Sequence, residues 1–177
     1  MPYKQGSLDG LCGPYAVVNA VSRLAPEADA SELMAILVHS LDRKRMLGRS
    51  FTHGVDRNQM SHLILTAQHY CEDVLGAQMM AFRPYWSRRP ASPRAFLKLS
   101  RNLLHECGCV MIVGFDHPVG GHWSVVTRID DFTLKCADSE GQATLDPTRI
   151  TITGSRRPGK IHIQTGCSTY LAMETRE

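Results

Sequence analysis

Apolar positions fall at helical spacing in the first half of the chain and alternate at strand spacing in the second. In "CGPYAVVNAVSRLA" they fall at Tyr15, Val18, Val21 and Leu24, and Val17 widens the stripe, which predicts a helix opening at Cys12. Pro14 suits the first turn, where its missing N–H is not needed, and Pro26 lies just past the end. "ASELMAILVHSL" places Leu33, Ile36, Leu37 and Leu41 on one stripe, with Ser31 as the expected cap. Residues 42–57, "DRKRMLGRSFTHGVDR", are polar and basic and read as an exposed loop. A helix is expected from a cap near Asn58 to Gly76, then a strand in "AQMMAFRPYW". Another helix should follow, with Ser92 as cap, Pro93 at its first position and Gly108 after its end.

Beyond Gly108 the period changes. "CVMIVGFD", "HWSVVTRI", "FTLKCADS", "TRITIT", "KIHIQT" and "STYLAME" are short, rich in β-branched residues and separated by turn signals. Helices first and an antiparallel sheet second is an α+β order. The 177 residues suit one domain, 1–177, and no internal repeat or low-complexity segment divides them.

Composition adds mainly exclusions. An apolar share of 43% and a charged share of 21% are ordinary for a globular protein. The formal charge of +3 and a pI near 8.6 do not indicate a nucleic-acid partner. No apolar run reaches the roughly 18 to 20 residues of a membrane span. "MPYKQGSLDG" has no apolar signal core, so the expected location is the cytoplasm, or outside it by a route that needs no signal peptide. The six cysteines are scattered and read as free thiols. Cys107 and Cys109 lack two further ligands at zinc spacing, so no metal is expected. The basic clusters "RKRMLGR" and two copies of "SRRP" read first as solvated loops and second as a surface for an acidic partner.

The chemistry concentrates in "QGSLDGLCGPYAVVNA", residues 5–20. A thiolate, not a thiol, attacks carbonyls, and a helix N-terminus favours the thiolate through unpaired N–H groups. Gly10 and Gly13 beside Cys12 leave room for a substrate backbone, which makes both groove candidates. Gln5 is placed to donate its side-chain amide to a developing oxyanion, with the Cys12 N–H as second donor. The base is sought in "VGGHWSVV", where His122 opens a strand beside Gly121 and Trp123; both neighbours are further groove candidates, Trp123 being either a lid or core. His117, in the same loop, is the alternative base.

An acid should orient the imidazole. A two-residue turn at Asp130-Asp131 pairs Asp138 with Trp123, whereas a three-residue loop pairs it with His122 but mixes the two faces. A one-residue bulge near the strand end reconciles these. Asp138 is therefore the first choice, with Asp146 of "LDPT" behind it.

The order Gln, Cys-Gly at a helix start, Gly-His-aromatic on a strand, then Asp resembles the papain-like cysteine peptidase superfamily. "LCGPYAVVNA" and "GGHWSVV" are most similar to its small bacterial branch around the bacteriocin-leader-processing peptidase domains. The resemblance implies a papain-like fold with Cys12 as nucleophile, His122 as base and acid, Asp138 as orienter and Gln5 as oxyanion donor. Two departures stand out: "ADSEG" replaces that branch's Asp-Pro, and the gap from Gln5 to Cys12 is slightly long.

The expected activity is amide hydrolysis through a thioester, without a cofactor, on a peptide or protein. An inhibitor or immunity protein is a possible partner. The same chemistry serves a secreted toxin or effector of the glutamine deamidase, transglutaminase or cell-wall amidase kind. The contrasting class is a non-catalytic binding module that keeps the fold.

Overall fold

The helical stripes become α1 (Cys12–Leu24), α2 (Ala30–Arg43), α3 (Leu47–His53), α4 (Arg57–Asp73) and α5 (Pro93–Glu106). These come from a computed structural model that describes residues 2–4, 10–117, 120–131, 133–152 and 157–174. Local chemistry sets most helix starts. Asp29, not Ser31, caps α2, its Oδ1 accepting from the N–H groups of Ser31 and Glu32 at 2.8 and 3.1 Å. Asp56, two residues before Asn58, caps α4 and forms a capping box with Gln59. Ser92 caps α5 as expected, Pro93 opens it, and Gly108 beyond it takes φ +58°.

α3 corrects the loop expected over residues 42–57. Its sequence carries no apolar stripe, and tertiary contacts hold it instead. Ser50 is buried, donates to the Met46 carbonyl and accepts from Gln59 Nε2 at 3.0 Å, while Met46 and Leu47 lie against the core.

The strands are β1 (Met79–Phe82), β2 (Val110–His117), β3 (Gly120–Ile129), β4 (Leu134–Ala137), β5 (Thr144–Leu145), β6 (Ile150–Ile152), β7 (Ile161–Ile163) and β8 (Thr169–Met173). They form one sheet in the order β1-β8-β2-β3-β4-β5, with β7 also paired to β2. Pairing is antiparallel except between β6 and β7, which run parallel, a departure from the expected all-antiparallel sheet. The short β5 was also not expected. The architecture is α+β.

Strand alternation gives the sheet two buried faces. Val110, Ile112, Trp123 and Val125 point to one core, shared with α1, α2 and α4. Met111, Val113, Phe115 and Val126 point to the other, covered by Phe96 of α5. There the buried hydroxyls of Tyr170 and Ser100 meet at 2.7 Å. Among the described residues no helix is long and apolar enough to cross a membrane.

The β3–β4 hairpin settles the register. Ile129 pairs with Leu134, a wider connection than either turn considered, and Asp130 N–H donates to the Thr133 carbonyl at 2.9 Å. A bulge lies between Val126 and Arg128, mid-strand rather than at the end, and beyond it Val125 faces Ala137. Continuing that register brings Asp138 level with Ser124, one diagonal step from His122.

Candidate active site

α1 delivers Cys12 as its first residue, following Leu11 at the N-cap position, where no side chain caps the helix. The first N–H groups of a helix have no intrahelical acceptor, which here leaves those of Cys12 and Gly13, since Pro14 has none. Cys12 is 5% exposed and reaches the floor of a cleft of about 280 Å³, whose walls include Val55, Gly121, His122 and Trp123.

β3 delivers His122, which is 7% exposed. Its Nε2 lies 2.7 Å from Asp138 Oδ2, and the ring lines the same cleft as Cys12. Phe115 braces the imidazole edge-on, with ring centroids 5.2 Å apart. Asp138, 1% exposed, is fixed by its other oxygen, which accepts from the N–H groups of Glu140 and Gln142 at 2.8 and 3.2 Å. Gly141 completes that turn at φ +90°, a backbone region that suits glycine.

These contacts set the charges. Burial opposes an imidazolium at His122, but the hydrogen bond and charge of Asp138, together with Cys12, outweigh it and push the ring up to about 10. Burial likewise opposes the Asp138 carboxylate, but the imidazole hydrogen bond and charge and the Gln142 N–H hold it below its ordinary value. Both shifts favour the charged ring, which shares its cleft with Cys12. Elsewhere burial pushes thiols up, Cys71 and Cys109 to about 11 and Cys136 to about 12. All six cysteines are unpaired.

Other expected site residues fall differently. Gln5 lies outside the described residues. Gly10 and Gly13 do not line the cleft: a Cβ on Gly10 would come within 2.7 Å of the Ser50 carbonyl, and one on Gly13 within 2.7 Å of Val55. Their smallness admits the α3–α4 segment, not a substrate. Gly121 does line the cleft, with open space where a Cβ would stand. Trp123 combines both roles considered for it: it is buried core, donates its indole N–H to the Val55 carbonyl at 2.6 Å, and walls the cleft. Asp146 is not near the imidazole; it accepts from Thr148 at the start of the 3-10 turn Pro147–Arg149. His117 is described only through its backbone, paired with Gly120. Cys107 is exposed whereas Cys109 is buried, its thiol donating to the Leu103 carbonyl.

One neighbour was not anticipated. Glu140 Oε1 lies 3.2 Å from His122 Nδ1, on a side chain 57% exposed. The signal was an acid two residues beyond Asp138, which a turn returns toward the ring. No family model matches the chain, and no curated protein does.

Proposed function

We propose that this protein is a papain-like cysteine amide hydrolase acting as a peptidase. The observation that carries the reading is the position of His122, bound through Nε2 to buried Asp138 at 2.7 Å and lining one cleft with Cys12. A helix bearing the nucleophile against an antiparallel sheet bearing base and acid supports the papain-like assignment.

In the reaction, the Cys12 thiolate attacks the carbonyl carbon and a C–S bond forms. The imidazolium of His122 donates its proton to the amide nitrogen, and the C–N bond breaks to release the amine. The neutral imidazole then takes a proton from water, whose oxygen attacks the thioester. The C–S bond breaks, the acid leaves, and the thiolate–imidazolium pair is restored. Asp138 stabilises the charged ring throughout and fixes its orientation. Backbone N–H groups at the start of α1 face the carbonyl oxygen as it becomes an oxyanion.

The test is incubation of the purified chain with a peptide library and denatured proteins, read by mass spectrometry. Cleavage products that vanish in Cys12→Ala and Asp138→Asn support the reading. Intact but deamidated or cross-linked products would replace the peptidase assignment with deamidase or transglutaminase chemistry. Inert substrates throughout would favour a binding module.

A further inference from the structure

The cleft over Cys12 does not end at the triad. Arg57 and Gln164 line it and also line a second hollow of about 490 Å³, bounded by Trp86, Arg88, Arg89 and Asp116. The two spaces adjoin across Arg57 and Gln164, and the first "SRRP" cluster forms part of the second one's wall.

The chemistry of that second hollow is specific. Arg57 opens α4 and lays its guanidinium over Trp86, 3.5 Å from the ring centroid, while Arg83 lies 4.9 Å from the same ring. Arg83 is engaged structurally, donating from Nε to Thr169 Oγ1 at 2.8 Å and from Nη1 to Ser61 Oγ at 3.0 Å. Arg57 is not: its Nε is buried without a hydrogen-bond acceptor among the described residues. Among those residues no carboxylate lies within ion-pair distance of Arg57, Arg88 or Arg89. The acid in this wall, Asp116, accepts from Gln164 Nε2 at 2.8 Å.

Trp86 itself is 49% exposed and lines the hollow beside Arg57. A guanidinium held flat on an aromatic ring keeps its donor edges oriented, and a planar carboxylate matches those edges with paired hydrogen bonds. Three arginines around one hollow beside a nucleophile thus select for an acid. We infer that this hollow is a carboxylate subsite: the preferred peptide carries an aspartate or glutamate side chain within a few residues of the amide that Cys12 attacks. Its consequence for turnover rests on the peptidase reading, but binding of the acid does not.

The test uses the full chain carrying Cys12→Ala and follows Trp86 fluorescence, since the chain's other tryptophan, Trp123, is buried. The probes are N-acetylated, C-amidated alanine pentapeptides with one glutamate moved through the positions, the same set with glutamine, and a glutamine peptide with a free C-terminus. Saturable binding of a glutamate peptide, about tenfold or more tighter than its glutamine twin, supports the subsite. That preference should be lost in Arg57→Gln and reduced in the double variant Arg88→Gln/Arg89→Gln, whose exposed loop positions keep the test independent of α4 folding. Equal binding of the two sets, or none, overturns it. Preference confined to the free C-terminus overturns the side-chain assignment and gives the hollow to a terminal carboxylate. Hydrolysis by the wild-type chain is scored separately, so a dead enzyme with a glutamate preference sinks only the catalytic reading, and an active one without it sinks only the subsite.

Discussion

His122 concentrates the energetics of the site in one ring. Its pKa is raised from 6.5 to about 10, so its contribution to stability is complete below the unfolded value and is lost as pH rises through about 10. Asp138 has the opposite sign: its lowered pKa contributes above the ordinary 3.8 and is lost as pH falls through the folded value. The pair therefore contributes fully between roughly pH 4 and 6.5. Urea denaturation near pH 6 and again at about pH 10 should show the wild type losing stability over that span, with a much flatter change in His122→Ala. An equally steep loss in the variant would mean that the ring does not carry the charge assigned to it. At this scale the sequence was informative wherever the chemistry is local. Cys12 before a helix, His122 after two glycines and Asp138 past a hairpin can be read in order. Glu140 and Arg57 could not be identified this way, because a turn brings Glu140 to the imidazole and a helix start brings Arg57 to the cleft.

Among the elements, α1 and the segment between α3 and α4 depend on each other. Gly13 meets Val55 where a Cβ would come within 2.7 Å, and Gly10 N–H donates to the Phe51 carbonyl at 2.9 Å. The clash involves backbone-proximal atoms of a buried valine, which cannot swing aside. Gly13→Ala should lower stability by about 1 to 3 kcal/mol, seen as a fall in the urea midpoint, and should displace the wall of the cleft that Val55 shares with Trp123. An unchanged midpoint would mean that the two elements are not packed this closely. The sequence marked both glycines as important but not what approaches them, because small residues reveal a close contact without identifying the partner. α3 was missed for a related reason. Its short helix follows from Ser50, Met46 and Gln59 meeting in space, and no periodic stripe announces it. The bulge between Val126 and Arg128 was anticipated, though nearer the strand end, because alternation on both strands demanded one without fixing where it lies.

Across the whole molecule, one sheet carries two cores, and only one of them holds α1. The far core, built on Phe96 and the Tyr170–Ser100 contact, supports β2 and β3 from behind. Phe96→Leu should cost about 1 kcal/mol in denaturant titrations while leaving native-state alkylation of Cys12 unchanged. A change in that rate would show that the far core tunes the site as well as supporting it. The α+β order was legible because helical and alternating periods occupy different stretches. The parallel β6–β7 pair was not, since short strands do not declare their direction.

The central claim, that His122 activates Cys12 as a nucleophile, is tested most directly by iodoacetamide alkylation of each cysteine near pH 6. The rates are mapped by mass spectrometry in the wild type and in His122→Ala. The account predicts that Cys12 reacts far faster than Cys71 or Cys167 and slows by about tenfold or more in the variant. Cys12 reacting no faster than those two, or equally fast without His122, would contradict it.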